Sequence, residues 1–292
     1  MNFVSYAQNF EDVILWRVFK DISLGFYIDV GANDPIVDSV SHAFYERDWR
    51  GIHVEPTPEY SRKSRELRPD EIVIEAAISD IPGELVFFDI PKTGMSTGHE
   101  NIAKQHSILG WFSQRITVKT MTLAEIFEIA HGREIHWLKI DVEGMEGAVL
   151  RSWKVSEVRP WVVVVESTHP NSAEASFEDW EIQLLSRGYQ FVYFDGLNRF
   201  YLHESRSILR PRFDTPPNIW DDFVLTENSG FARELAKKIT VAKAEANEAA
   251  QAISGMKAQV DVLFAELSEA RSEIVLLKEG FFVKIKRLFK RI

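Results

Sequence analysis

Four carboxylates stand where an apolar run gives out. Asp29 closes Phe26-Tyr27-Ile28, Glu55 closes Ile52-His53-Val54, Asp141 closes Trp137-Leu138-Lys139-Ile140, and Glu166 closes four consecutive valines. Continuous apolar runs are how buried parallel strands read, and the turns beyond such strands form the ligand-binding edge of an open α/β sheet. Carboxylates placed there can accept hydrogen bonds, take up protons or face a cation. Gly31, two residues past Asp29, lets the backbone turn sharply and come close to a ligand, and Ala32 and Asn33 continue that turn with a small residue and an amide. Around Asp141 the acids crowd, with Glu143 and Glu146 following within six residues. That arrangement is costly by mutual repulsion, unless the two glutamates serve the start of the next helix. His169 lies three residues past Glu166, as a candidate proton acceptor or as an ordinary solvated histidine.

What the first turn lacks is equally informative. A dinucleotide fingerprint places three glycines where a pyrophosphate rests on a helix start, whereas Gly31-Ala32-Asn33-Asp34-Pro35 has one and keeps two acids close. Those acids would repel a diphosphate and suit a cation instead; S-adenosylmethionine carries both a sulfonium and an ammonium. On that reading Glu55, 26 residues past Asp29, accepts hydrogen bonds from ribose hydroxyls. The small Ala76 and Ala77 leave room for a flat adenine, although tight packing would ask for the same residues. Gln8, with Glu11 or Asp12, reaches over the ligand from the start of the first helix, which otherwise reads as an amphipathic helix packed on the sheet.

The elements that must hold these residues follow from periodicity. After the first strand, Asp38 or Ser39 is expected to cap a helix through Ala43, Phe44 and Tyr45. Residues 72–80 read as a third strand with its exit loop, and 84–90 as an extra strand. Residues 92–114 have no clear period and read as an irregular insertion, a lid on the substrate side. Thr122 and Glu125 form a capping box, and Ser176 and Asp179 are expected to cap a helix containing Trp180 and Leu184. Two β-rich runs around Asp195-Gly196-Leu197-Asn198 read as an antiparallel hairpin closing the sheet.

Composition narrows the function classes. The 292 residues are 45% hydrophobic and include 20 Phe and 8 Trp, ample for a core, with one large α/β domain plus an appendage expected. The absence of cysteine excludes disulfides, thiolate nucleophiles and thiolate metal sites. The net charge of −10 conceals a split, because from residue 231 onward there are 12 Lys+Arg against 8 Asp+Glu, leaving 22 against 36 before it. So acidic a globular part argues against nucleic acid, whose phosphates are met by a basic surface. With neither a secretory leader pattern nor an apolar run long enough to span a bilayer, the expected location is cytoplasmic.

Taken together, the chain resembles the FkbM family of S-adenosylmethionine-dependent methyltransferases, over about residues 5–224. The likeness is carried by Ser5-Tyr6-Ala7-Gln8-Asn9-Phe10-Glu11-Asp12, Tyr27-Ile28-Asp29-Val30-Gly31-Ala32-Asn33, His53-Val54-Glu55-Pro56, Ala77-Ile78-Ser79-Asp80 and, most specifically, Leu138-Lys139-Ile140-Asp141-Val142-Glu143-Gly144-Met145-Glu146. It departs at Asp34-Pro35-Ile36, where many relatives keep glycine or small polar residues. The resemblance implies a class I, Rossmann-like α/β fold with a seven-stranded, mostly parallel sheet and a C-terminal antiparallel hairpin, and O-methylation of sugar or polyketide hydroxyls. It implies Asp29, Gly31 and Asn33 around the methionine part of the cofactor, Glu55 on the ribose, Ala77 and Ser79 near adenine, and Asp141 close to the transferred methyl.

Methyl transfer of this kind asks for two reactants at near-attack distance and a base for the hydroxyl proton. The candidate bases are Asp141, Glu143, Glu166 and His169. Alternatively Asp141 and Glu166, at adjacent strand ends, bind a divalent cation such as magnesium that lowers the alcohol's pKa. Direct base catalysis is preferred, since the sequence has no dedicated metal motif.

Beyond the linker near Asn228-Ser229-Gly230 the pattern changes. Apolar or small residues alternate at four and three from Leu235 to Phe281, with Ile239, Ala246, Ile253, Val260, Leu267, Ile274 and Phe281 at a and Leu235, Ala242, Ala249, Met256, Leu263, Ala270 and Leu277 at d. Mostly β-branched a with unbranched d favours parallel pairing, as dimer or trimer, over about 70 Å of helix. A long helix folded back on its own domain is the competing reading. Residues 281–292 add five cations and no acid, with Phe281, Ile285, Leu288, Phe289 and Ile292 on one face, the pattern of a segment drawn to an anionic membrane surface.

The sequence thus divides into a methyltransferase domain (1–228), a coiled-coil oligomerisation helix (229–280) and a basic amphipathic segment (281–292). The expected activity is O-methylation of a sugar hydroxyl, of a surface polysaccharide or its lipid-linked precursor, by a homo-oligomer peripheral to the inner membrane face. The alternative is an inactive coiled-coil scaffold with a vestigial methyltransferase domain.

Overall fold

A computed structural model describes residues 2–91, 93–154 and 156–289, the side chains of 287–289 aside. The chain forms two compact units, Met1–Ala232 and Arg233–Ile292.

The first unit runs β1 (Phe3–Ser5), α1 (Glu11–Phe19), β2 (Phe26–Val30), α2 (His42–Tyr45), β3 (Arg50–Val54), α3 (Pro58–Leu67), β4 (Ile72–Ile74), β5 (Ala77–Ile78) and β6 (Gly83–Asp89). It continues with α4 (Glu100–Ile108), β7 (Gln114–Met121), α5 (Leu123–Ile129), β8 (Trp137–Ile140), α6 (Glu146–Arg151), β9 (Val162–Glu166), α7 (Glu181–Leu185), β10 (Tyr189–Phe194), β11 (Asn198–His203) and β12 (Phe223–Leu225).

The central sheet has the order β10-β11-β9-β8-β2-β3-β4. From β9 to β4 the neighbours are parallel, while β11 runs antiparallel to both β9 and β10. The chain enters at β2, moves outward through β3 and β4, and returns to the other side of β2 as β8. The strand order therefore reverses between β2 and β8, where an open α/β sheet leaves a crevice beyond its strand ends. Asp29 and Asp141 flank that reversal.

Alternation along each strand divides the core between two faces. Phe26, Ile28 and Val30 join Leu138, Ile140, Val163 and Val165 on the face covered by α5, α6 and α7, through Leu123, Ile126, Val149, Leu150 and Leu184. Tyr27, Trp137, Val162 and Val164 point the other way, onto Ile14, Leu15 and Val18 of α1 and Phe44 of α2. Asp29 and Lys139 share the parity of Tyr27 and Trp137. They are register partners across the reversal, with Asp29 3% and Lys139 6% exposed.

The structure departs from the sequence reading in several places. The described residues form three sheets, so the fold is α/β with a two-stranded sheet, β1-β12, and a three-stranded one, β5-β7-β6, beside the seven-stranded central sheet. Residues 72–80 are not one strand: Ile72–Ile74 end the central sheet, and Ala77–Ile78 leave it to pair with β7, itself antiparallel to β6. β1 pairs in parallel with β12, a contact no local pattern announces. The capping box at Thr122 and Glu125 forms, whereas α2 and α7 begin at Ser41 and Trp180 with no side-chain cap, so Asp38, Ser39, Ser176 and Asp179 do not cap them. Ser39 instead accepts a 3.0 Å bond from the buried Arg68 guanidinium, which ties the loop after β2 to α3. Residues 92–114 contain α4, so the insertion is partly helical.

The second unit is a single helix, α8 (Arg233–Phe289), of 57 residues. Its apolar side chains stand exposed, among them Ile253, Met256, Val260, Leu263, Leu267 and Ile274. No helix among the described residues is long and apolar enough to cross a membrane. Of the expected basic amphipathic end, the side chains of Leu288 and Phe289, and Ile292 altogether, lie outside the described residues.

Candidate active site

Two cavities adjoin at the reversal point. The first, about 550 Å³, lies beyond β2, β3 and β5 and is lined by Gly31, Asn33, Glu55, Tyr60, Ala76, Ala77, Ile78, Phe87 and Ser96, with Asp141 and Glu143 at one side. The second, about 1240 Å³ and more polar, is lined by Gln8, Asp29, Ala32, Asp38, Lys139, Glu166, Thr168 and Asn171. Gly31, Asn33, Gly94, Asp141 and Glu143 line both.

The shared wall is built by backbone approach. Gly31 has φ +81°, a region that side-chain-bearing residues rarely adopt, and its N–H donates to the Val54 carbonyl at 2.9 Å. Asp141 N–H donates to the Val30 carbonyl at 3.0 Å, bringing the ends of β2 and β8 together.

In the first cavity Glu55 is 4% exposed. One oxygen accepts from Thr57 N–H and Oγ1 at 2.8 and 2.6 Å, the other from Asn33 N–H at 2.9 Å. Burial raises its pKa, with the Thr57 and Asn33 bonds opposing. A carboxylate accepts about four hydrogen bonds, so the oxygen facing Asn33 keeps one acceptor position. Ala76, Ala77, Ile78 and Phe87 give the same cavity an apolar slot.

In the second cavity the acids are packed closely. Asp141, Glu143 and Glu166 each offer an oxygen within 4.8 Å of the others. Lys139 Nζ donates to Asp141 Oδ2 at 2.5 Å. Although burial alone would lower the Lys139 pKa, Asp141, Asp29 and Glu11 raise it. Burial, then Asp141 and Glu146, pushes Glu143 up to about 9. Glu166 lies well above the usual carboxylate range, through burial and then Asp141 and Glu143. Glu146 accepts from the backbone N–H groups of Val142 and Gly144 at 3.2 and 3.1 Å, so it fastens the turn rather than facing the cavities.

The structure brings together Gln8, Asp29, Gly31, Ala32, Asn33, Asp141, Glu143 and Glu166 around the second cavity, and Glu55 and Ala77 in the first. Two expected site residues stand apart. Ser79 lines neither cavity, and its hydroxyl accepts from Ile81 N–H at 3.2 Å. His169 is exposed, lines neither cavity, and its backbone N–H donates to the Glu174 carbonyl at 2.8 Å. Glu11 and Asp12 are also directed elsewhere: Glu11 accepts from Asn198 Nδ2 at 2.9 Å, and Asp12 from Ser5 Oγ and the backbone of Tyr6 and Ala7. Of that group Gln8 alone reaches a cavity. Sequence reasoning missed Lys139, whose signal was a lysine inside a buried strand, and Tyr60, Phe87, Thr168 and Asn171, which folding alone places there.

The Methyltransferase FkbM domain family matches residues 29–191. Among solved structures the chain is similar to Streptomyces venezuelae DesVI, with 11% identity, TM-score 0.34, and coverage of 67% of this chain and 94% of that one. It is similar too to a Klebsiella pneumoniae protein described as an O-methyltransferase, with 10% identity, TM-score 0.30, and coverage of 66% and 80%. No curated protein matches. The matched segment contains all four carboxylate-bearing strand ends of the central sheet and most of the cavity wall, and the chain belongs to the FkbM methyltransferase domain family.

Proposed function

We propose that the first unit is a class I, Rossmann-like methyltransferase that moves a methyl group from S-adenosylmethionine to a hydroxyl oxygen of a sugar. The observation that carries this reading is the pair of cavities meeting at Gly31 and Asp141. One is an apolar slot with a buried acceptor carboxylate, the other a polar chamber with a row of acids. Adenine lies along the apolar wall of Ala76, Ala77, Ile78 and Phe87, ribose hydroxyls donate to Glu55, and the cationic methionine end faces Asp29 and Asp141. The acceptor enters the second cavity, where Gln8, Thr168 and Asn171 offer the hydrogen bonds a polyhydroxylated molecule needs. The Asp141 carboxylate, beside the Lys139 ammonium, receives the hydroxyl proton as the carbon–oxygen bond forms, while Glu143 and Glu166, whose burial favours their protonated forms, donate hydrogen bonds to the acceptor.

The exposed apolar seam of α8 supports a parallel homo-oligomer. In register, Glu266 meets Arg271 and Glu273 meets Lys278 of a neighbouring helix. The cations after residue 281 then act together on an anionic membrane surface, the inner face of the membrane.

Calorimetric titration with S-adenosylhomocysteine tests the cofactor reading. Binding by the wild-type chain that is lost in Asp29→Ala is the expected result. An affinity unchanged by that substitution removes Asp29 from the site, and no binding at all favours the inactive scaffold.

A further inference from the structure

Asp141, Glu143 and Glu166 reach one point from three separate positions: the end of β8, the turn before α6, and the end of β9. Glu143 holds its place from a backbone at φ +50°, fixed by a 2.8 Å bond from Thr97 Oγ1 to its carbonyl. Three carboxyl groups within 4.8 Å stay ionised together only with positive charge beside them. Lys139 is the ammonium nearby, and it is shared between Asp141 and Asp29. The deficit has a structural trace. Glu166 is only 8% exposed, and its Oε2 is sealed from solvent with no hydrogen-bond partner; Glu143 Oε2 is in the same condition. Buried oxygens are ordinarily satisfied, and an ionised one left alone is costly.

We infer that this trio binds one hard divalent cation of the magnesium or manganese class in the wall of the polar cavity. All three donors are carboxylate oxygens, the ligand set such ions take. All three residues also line the open chamber, so coordination positions remain for water or for an acceptor oxygen. The role in catalysis rests on the methyl-transfer reading, whereas the binding does not. A hydroxyl held on the cation gives its proton to the second oxygen of a ligating carboxylate. The freed electron pair forms the carbon–oxygen bond, and the carbon–sulfur pair leaves with sulfur as S-adenosylhomocysteine.

The test is titration of Mn²⁺ into the full chain, followed by loss of the free-ion electron paramagnetic resonance signal, for the wild type, Glu166→Gln and Glu143→Gln. The expected result is one ion per wild-type chain, with affinity at least about tenfold weaker in each folded variant. S-adenosylhomocysteine affinity should meanwhile stay within about twofold in Glu166→Gln, since Glu166 lines the second cavity and not the first. Circular dichroism identifies a variant that fails to fold, in which case the other decides. No Mn²⁺ bound by the wild type at about 1 mM, with or without S-adenosylhomocysteine, overturns the inference. So does binding that neither substitution weakens. If Mn²⁺ binds as expected and S-adenosylhomocysteine does not, the cation site stands and the methyl-donor reading falls.

Discussion

A methyl group placed on Gly31 would stand 1.7 Å from the backbone carbonyl oxygen of Asp141. The obstructing atom is backbone directly after the buried strand β8 and cannot swing aside, and the positive φ adds strain of its own. Gly31→Ala should therefore push β2 and β8 apart where the two cavities meet. The expected outcome is a loss of at least about 2 kcal/mol in stability by urea unfolding. S-adenosylhomocysteine binding should also disappear under conditions where the variant remains folded.

Lys139 is the charge that lets two acids lie under the sheet edge. Its ammonium meets Asp141 at 2.5 Å and sits beside Asp29, its register partner. Lys139→Met keeps the length of the side chain and removes the charge, leaving buried carboxylates without it. A loss of about 3 kcal/mol is expected from urea unfolding in the presence of a chelator. A variant as stable as the wild type would show that Asp29 and Asp141 do not need this partner.

The two cavities were half legible in the sequence, and the division has a physical basis. Asp29, Gly31, Glu55, Asp141 and Glu166 could be read because a strand's apolar run marks where it ends, and the ends of parallel strands lie side by side. Ser79 was misplaced because the run from Ile72 to Ile78 looks continuous, yet changes sheets after Ile74. His169 was placed by proximity in sequence to Glu166, but it stands exposed in the following loop and lines neither cavity. Phe87 and Tyr60 carried no signal, since β6 and α3 reach the cavity by long-range packing.

Glu11 gives the stability a pH dependence whose sign can be worked out. Burial, and then the charge of Asp195, raises its pKa from 4.5 to about 7. Below the ordinary value the group is protonated both folded and unfolded, so it contributes no slope. Between the two values the unfolded chain gives up a proton that the folded chain keeps, and stability falls as pH rises; above about 7 the penalty is constant. Glu11→Gln should remove this part of the slope. The stability of the variant relative to wild type should rise by a few kcal/mol between about pH 4 and pH 8, measured by urea unfolding across that range.

The helix α8 exposes its seam along its length, with Val260 47%, Leu263 62% and Leu267 50% accessible. A lone helix of 57 residues gains nothing from a heptad repeat, whereas two or more copies bury it as alternating knobs and holes. Leu263→Lys combined with Leu267→Lys puts like charges at neighbouring d and a positions of every copy. The mass by multi-angle light scattering should fall from that of an oligomer to that of one chain, while binding of S-adenosylhomocysteine by the first unit is retained. A wild-type chain that already scatters as a monomer at the highest concentration reached would remove the seam as an assembly surface.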